Sequence, residues 1–153
     1  MKRVLSIQDI SCIGKCSLTV ALPIISAMGI ETSILPTSIL STHTMFNDFT
    51  FRDLTDDMEP IKKHWQKEGF SFDAIYTGYL GSEKQITLVK DYFKTFGNTC
   101  KYIIVDPAMA DNGKLYSGFY KDFPLKMAKL CKYADVILPN IFEAAFFTGM
   151  PYP

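Results

Sequence analysis

Two places in the chain carry residues able to hold a charged oxygen ligand. Asn140 and Glu143 follow the apolar run Val136, Ile137, Leu138 and its terminator Pro139, and Asp106 and Asp111 bracket the stretch DPAMAD. Hard carboxylate oxygens beside a helix amino terminus suit magnesium and a nucleotide phosphate. The free N–H groups of the first turn favour the anion, and the carboxylates hold the cation directly or through water. The same Asn-x-x-Glu spacing is also a capping box, in which each side chain satisfies a backbone N–H at the other residue and nothing further is required. Ala144, Ala145, Phe146 and Phe147 then form an apolar helix face that stops at Gly149. Both readings stay open on this stretch alone.

Other common site signatures fail. Gly14 and Lys15 resemble the end of a phosphate-binding loop, but Asp9 stands at its first glycine position and Cys16 at its hydroxyl position. No G-x-G-x-x-G follows the first apolar run, and no Ser sits between glycines at nucleophile-elbow spacing. Cys12 and Cys16 lack a third ligand nearby, and His43 and His64 follow no zinc spacing. The two cysteines read as small packing residues, and the two histidines as surface or satisfied ones.

The elements that must position these residues alternate. Arg3 to Gln8 reads as a strand on Val4, Leu5 and Ile7, with a polar turn from Asp9 to Lys15. A helix capped by Ser17 follows, carrying Val20, Ile24, Ala27 and Met28 to Gly29 with Pro23 inside it. Thr32 to Leu40 reads as the second strand, where Pro36 implies an edge or a bulge. Residues 41–53 have no period and read as a substrate-side loop or flap. A helix starts at Asp56 or Asp57, with Pro60 in its first turn, and ends at Gly69; the third strand is Asp73 to Thr77. Ser82 and Gln85 form a second capping box, for a helix reaching Gly97. Tyr102 to Val105 is a fourth strand, apolar on both faces as a central parallel strand should be. After a turn-rich loop, a helix holding Leu125, Met127, Ala128 and Leu130 leads to the fifth strand at Val136.

Five strand–helix alternations without a linker predict one α/β domain over residues 1–153: a three-layer sandwich with a mainly parallel central sheet and right-handed crossovers. Ligands of such sheets collect beyond the carboxyl ends of the strands. Those ends carry Asp9, His43 and Thr44 of the flap, Tyr79, Asp106 and Asn140. Each has an ordinary alternative, since Asp9 can cap a turn, Tyr79 can be core, and Asp106 before a proline can simply leave a strand.

With 153 residues, 48% of them hydrophobic and 14% aromatic, the chain can bury a core. Sixteen basic against sixteen acidic residues leave no net charge, so there is no electrostatic footprint for nucleic acid or an anionic membrane, and no apolar stretch spans a bilayer. A small-molecule partner fits better. Gln8 and Asp9 interrupt the first apolar run too early for a signal peptide, and four unpatterned cysteines fit a reducing cytoplasm.

Five stretches in order, IQDISCIGKCSLTVALPIISAMGIE, LSTHTMF, TGYLGS, VDPAMADNGKLY and ILPNIFEAAFFTG, resemble the pyridoxal, pyridoxamine and pyridoxine (vitamin B6) kinases of the ribokinase-like superfamily. The resemblance covers essentially the whole chain. It implies phosphorylation of the hydroxymethyl group of a B6 vitamer from MgATP, in a protein that is a homodimer when full length. At matched positions it implies that Asp9, His43, Thr44 and Tyr79 bind the vitamer. Asp106, Asn140 and Glu143 would organise magnesium and its waters at the ATP phosphates, with Asp106 and Glu143 as the metal carboxylates. Asp111 would sit near the nucleotide and any monovalent cation. Ala108 and Ala110 replace the more usual Val and Gly, and Asp9 replaces a frequent Ser. That Asp is closer to the hydroxymethylpyrimidine kinases of thiamine synthesis, which are the alternative substrate reading. The resemblance also implies a glycine-rich G-x-G-D segment whose Asp is the catalytic base. No such segment stands before Pro153, so no catalytic residue is assigned. The expectation is the amino-terminal part of a kinase, inactive alone, or a non-catalytic vitamer-binding or assembly module.

Overall fold

Strand β1 (Arg3–Ser11) occupies the middle of a six-stranded sheet, and its alternation explains the two faces that follow. Leu5 and Ile7 are fully buried on one face, while Ser6 and Gln8 point to the other. The computed structural model describes residues 1–151. Helix α1 (Leu18–Ala27) returns the chain to β2 (Glu31–Leu40), which pairs parallel to β1 and antiparallel to the short β3 (Phe51–Asp53). Helix α2 (Thr55–Lys67) leads to β4 (Ala74–Thr77), and α3 (Glu83–Phe96) leads to β5 (Tyr102–Val105). A two-stranded hairpin, β6 (Ala110–Asp111) and β7 (Lys114–Leu115), precedes α4 (Phe123–Cys131), β8 (Val136–Ile137) and α5 (Ile141–Thr148). The sheet order is β3-β2-β1-β4-β5-β8, parallel except for β3.

Because the chain moves one way from β1 to β2 and the opposite way from β2 through β4 and β5 to β8, right-handed crossovers put α1 on one face and α2, α3 and α4 on the other. The second face is closed. Leu5, Ile7, Leu35, Ile75 and Val105 of the strands meet Met58, Ile86, Val89, Tyr92, Phe96, Met127 and Leu130 of the helices in one buried cluster. Trp65 stands edge-on to Phe72, Tyr92 and Phe96, and the Tyr92 hydroxyl donates to the Met58 carbonyl at 2.6 Å, so its polar tip is satisfied inside the core. On the first face only Leu18 of α1 is buried. Tyr102 and Val136 lie in register with Ala74 and Ile104 on that face and are 45% and 40% exposed.

Two acids clip the amino ends of the strands. Asp73 accepts from the backbone N–H of Arg3 at 2.8 Å and from Lys2 Nζ at 2.6 Å, while its own N–H donates to the Arg3 carbonyl. Asp135 does the same to Ile103, accepting its N–H at 2.8 Å.

Several local expectations change. β1 runs three residues past Gln8, so Asp9 lies inside a strand and not in a turn. The β1–β2 register shifts between Gln8 and Ile10, opposite Pro36, and the expected bulge is therefore real. Ser17 sits at the amino end of α1 with φ 51° and makes no side-chain cap; Thr19 Oγ1 instead donates to the carbonyls of Cys16 and Gly14. Helix α2 begins at Thr55, whose N–H donates to Asp53 Oδ1 at 2.7 Å, and Pro60 consequently falls beyond the first turn. Ser82 does cap α3, but Gln85 does not complete that box. Its side chain turns inward, accepting from Gly81 N and donating to the Thr37 carbonyl and Thr55 Oγ1, because three buried partners outweigh one exposed one. β5 is not apolar-buried on both faces, since the α1 face above it is bare.

Candidate functional site

The carboxyl ends of β1, β4 and β5 open onto a cleft of about 410 Å³ between the sheet and α1. Its floor is polar and comes from alternate strand positions: Gln8 of β1, Tyr76 of β4 and Asp106 just past β5. Its wall is the inner side of α1, with Val20, Ala21, Ile24 and Ile25, and its rim carries Lys15, Ser17 and Tyr79. An apolar wall over a few convergent polar groups suits a flat heterocycle with polar substituents. Gln8 is buried, donates from Nε2 to Ser6 Oγ at 3.0 Å, and lies against Gly78, where an added Cβ would stand 2.7 Å from Gln8 Oε1. A side chain at this position would force Gln8 to move.

Asp106 is the carboxyl best placed to act. Burial, then the charge of Glu143, raises it to about 6, against the lowering effect of the Ala108 N–H that donates to its Oδ1 at 3.2 Å. Tyr76 and Tyr116 are likewise raised, by burial first and neighbouring carboxylates second. Tyr79 lines the cleft with one ring face stacked on Phe119, and its phenol is raised by burial, then by Asp9 and Asp53.

Asn140 and Glu143 form a complete capping box at α5. Asn140 Oδ1 accepts from Glu143 N at 3.0 Å, and Glu143 Oε2 accepts from Asn140 N at 2.9 Å. The pair also does more. Glu143, 1% exposed, takes the Met109 N–H on Oε1 at 2.8 Å and the Ala110 N–H at 3.4 Å, while Asn140 Nδ2 donates to the Ala110 carbonyl at 2.8 Å. The cap therefore grips the DPAMAD loop and fixes Asp106 in the floor of the cleft. With both carboxylate oxygens of Glu143 engaged by backbone donors, Asp106 is the acid with a free oxygen. Among the described residues no three His, Cys, Asp or Glu side chains gather to hold a metal ion. One accessible carboxylate nevertheless fits magnesium, which keeps most of its waters and takes its other ligands from phosphates.

The remaining expected residues are spread out. Asp9 is 6% exposed and close enough to Tyr79 to raise its phenol. His43 is a strut. Its ring packs on Gly14 so tightly that a Cβ there would lie 2.2 Å from Cδ2, its N–H donates to the Ile13 carbonyl, and its Nδ1 accepts from Met45 N. Thr44 stands exposed on the flap beside it, and Asp111 is exposed on the hairpin, accepting from Asn112 N at 2.8 Å. Gln8, Tyr76 and Lys15 line the cleft and were missed by motif reading. The available signal was Ser6 and Gln8 alternating with Leu5 and Ile7, which marks a strand with one face turned to something polar.

A family model described as phosphomethylpyrimidine kinase matches residues 30–152. Among solved structures, a Bacteroides thetaiotaomicron protein provisionally described as a phosphomethylpyrimidine kinase, crystallised with pyridoxal, is 44% identical over 99% of this chain and 53% of its own, with a TM-score of 0.94. Pyridoxal kinase from Lactobacillus plantarum is 38% identical over 100% of this chain and 55% of its own, with a TM-score of 0.93. A curated pyridoxal kinase of Actinobacillus pleuropneumoniae is 28% identical over 98% of this chain and 54% of its length. The chain thus spans about half the length of the relatives it matches. Among the described residues no helix is long and apolar enough to cross a membrane.

Proposed function

The chain belongs to the phosphomethylpyrimidine kinase family, and from that premise we propose that it forms the ring-binding half of an ATP-dependent vitamin B6 kinase. The observation that carries this reading is the cleft itself: an apolar wall, a polar floor and a free Asp106 carboxyl at the carboxyl ends of parallel strands. The vitamer ring lies between the α1 wall and Tyr79, and its hydroxymethyl group faces Asp106. Thr44 and His43 close the mouth from the flap, with His43 acting through its grip on the Gly14 loop.

MgATP approaches from the α5 side. Asp106 would hold magnesium directly or through water, and the ion would supply charge neutralisation at the polyphosphate. Glu143 and Asn140 keep the Asp106 loop rigid, with Glu143 adding its charge to the metal site; Asp111 lies on the nucleotide side, within reach of a monovalent cation. These residues bind and orient, and none is assigned as the base. Free cysteines and a neutral surface support a cytoplasmic enzyme, and the exposed apolar Leu22 and Met28 of α1 support a homodimer.

The family model and Asp9 favour one second reading, a hydroxymethylpyrimidine kinase. Titration calorimetry with pyridoxal and with hydroxymethylpyrimidine, followed by ATP-dependent phosphorylation of each, separates the two. Pyridoxal binding that Tyr79→Ala weakens is expected. Binding and turnover of the pyrimidine alone would overturn the B6 reading.

A further inference from the structure

Tyr79 does not stand in the cleft wall on its own. It is half-buried just past β4, and its ring lies on that of Phe119, with centroids 5.7 Å apart and planes 26° from parallel. Phe119 in turn lies on Phe123, at 3.8 Å and 7°. Phe123 opens α4, is 5% exposed and belongs to the buried cluster of the closed face. Three rings thus run in file from the core to the cleft, and the middle one lies outside the cleft lining.

The chain bends to put Phe119 there. Gly118 takes a φ of 91°, where a side chain would be strained, and the Phe119 N–H donates to the Tyr116 carbonyl at 3.2 Å. Tyr116 flanks Tyr79 at 6.4 Å, and its own N–H donates to the Met109 carbonyl at 2.9 Å, so the support of Tyr79 is tied to the DPAMAD loop as well. A wall side chain that is free to turn must be ordered by whatever binds against it, and that cost is subtracted from affinity. A ring already held by its neighbour avoids most of the loss.

We propose that Phe119 is a positioning residue for the ring site, setting the affinity for flat heterocycles from outside the cleft by holding Tyr79 in place as the wall. The inference rests on reading the cleft as the ring site and adds a residue on which that site depends. Calorimetry with pyridoxal tests it. Phe119→Leu should raise the Kd about three- to tenfold, the worth of one aromatic pair, while Phe119→Tyr, which keeps the stacked ring, should stay within about twofold of the parent. In a Tyr79→Ala background Phe119→Leu should change the Kd by less than about twofold, because a residue that acts through Tyr79 then has nothing left to position. Thermal melting checks that each variant is folded, and Phe119→Met, nearer the native volume, repeats the test if Phe119→Leu is not. A loss of the same size with and without Tyr79, or an unchanged Kd in a folded Phe119→Leu protein, would overturn the role of Phe119 while leaving the ring site standing. If pyridoxal does not bind the parent protein, the ring site falls and the proposal with it.

Discussion

The two faces of one sheet are built to different standards. On the face of α2, α3 and α4, the four strands β1, β2, β4 and β5 each contribute a fully buried Leu, Ile or Val, and the Tyr92 hydroxyl and the Gln85 amide that enter have partners, while Thr77 Oγ1, in register with Ile7 and Val105, is a buried exception. On the face of α1, the strands contribute Ser6, Gln8 and Tyr76, a cleft stands where a core might be, and Tyr102 and Val136 meet solvent. A parallel sheet needs both faces covered for stability but one end open for chemistry. Here stability is concentrated on one face, and the other keeps the buried carboxyls and the strained Ser17 that a binding site requires.

The contrast is sharpest in core truncation. Leu5→Ala on the closed face should cost about 3 kcal/mol in urea unfolding, whereas the isosteric Val136→Thr on the open face should stay within about 0.5 kcal/mol. Comparable losses would mean that the open face is covered in solution. Glu143→Gln tests the grip between them. A buried carboxylate that loses its charge while facing three backbone donors should lower stability by about 2 kcal/mol. The same change should move the Asp106 carboxyl down, as followed by NMR titration, since Glu143 is the second cause of its rise.

Asp106→Asn should do the reverse at neutral pH. A carboxyl whose folded pKa is raised favours the folded state while it is protonated, so its contribution is present below the unfolded value and lost as pH rises through about 6. The variant should therefore be more stable than the parent by about 1–2 kcal/mol at a pH above that value, allowing for solvent screening. The advantage should vanish under acid, near the ordinary Asp pKa. Denaturant melts of parent and variant at both ends of the range give the difference directly, and the lowered exposed acids Asp56, Asp73 and Asp122 cancel from it. A constant difference would show that Asp106 is not the titrating group. The most local effect is expected from Gly14→Ala, which meets both a positive φ of 119° and the His43 ring. It should loosen the flap by about 1 kcal/mol, visible as faster proteolysis within residues 41–50 with little change in global melting.

Legibility in the sequence divides along the same faces. The closed face follows from hydrophobic period alone, and the parallel pairing follows from the alternation of strands and helices, whereas the strand order does not. The open face was harder because its residues break those patterns. Asp9 read as a turn residue because an acid is unexpected inside a strand. Gln85 read as a cap because its local spacing fits one, although a distant pair, Thr37 and Thr55, decides where it points. Phe51–Asp53 was too short to register as a strand, and it forms only because β2 offers a free edge. Asp106, Asn140 and Glu143 were visible as a set, but not that Glu143 spends its oxygens on the Met109, Ala110 and Asn140 amides.

The acid clips at Asp73 and Asp135 bear on how such a protein can change over time. Both fasten the sheet at the strands' amino ends, the edge farthest from the cleft. Register is thus inherited from a part of the molecule that lies outside the cleft. Substitutions at Gln8, Asp9, Tyr76 or Asp106 can then be sampled without sliding one strand past another. A lineage, or a designer, can exchange one ring for another at the open end while the alignment of the strands is kept by two aspartates at the opposite end.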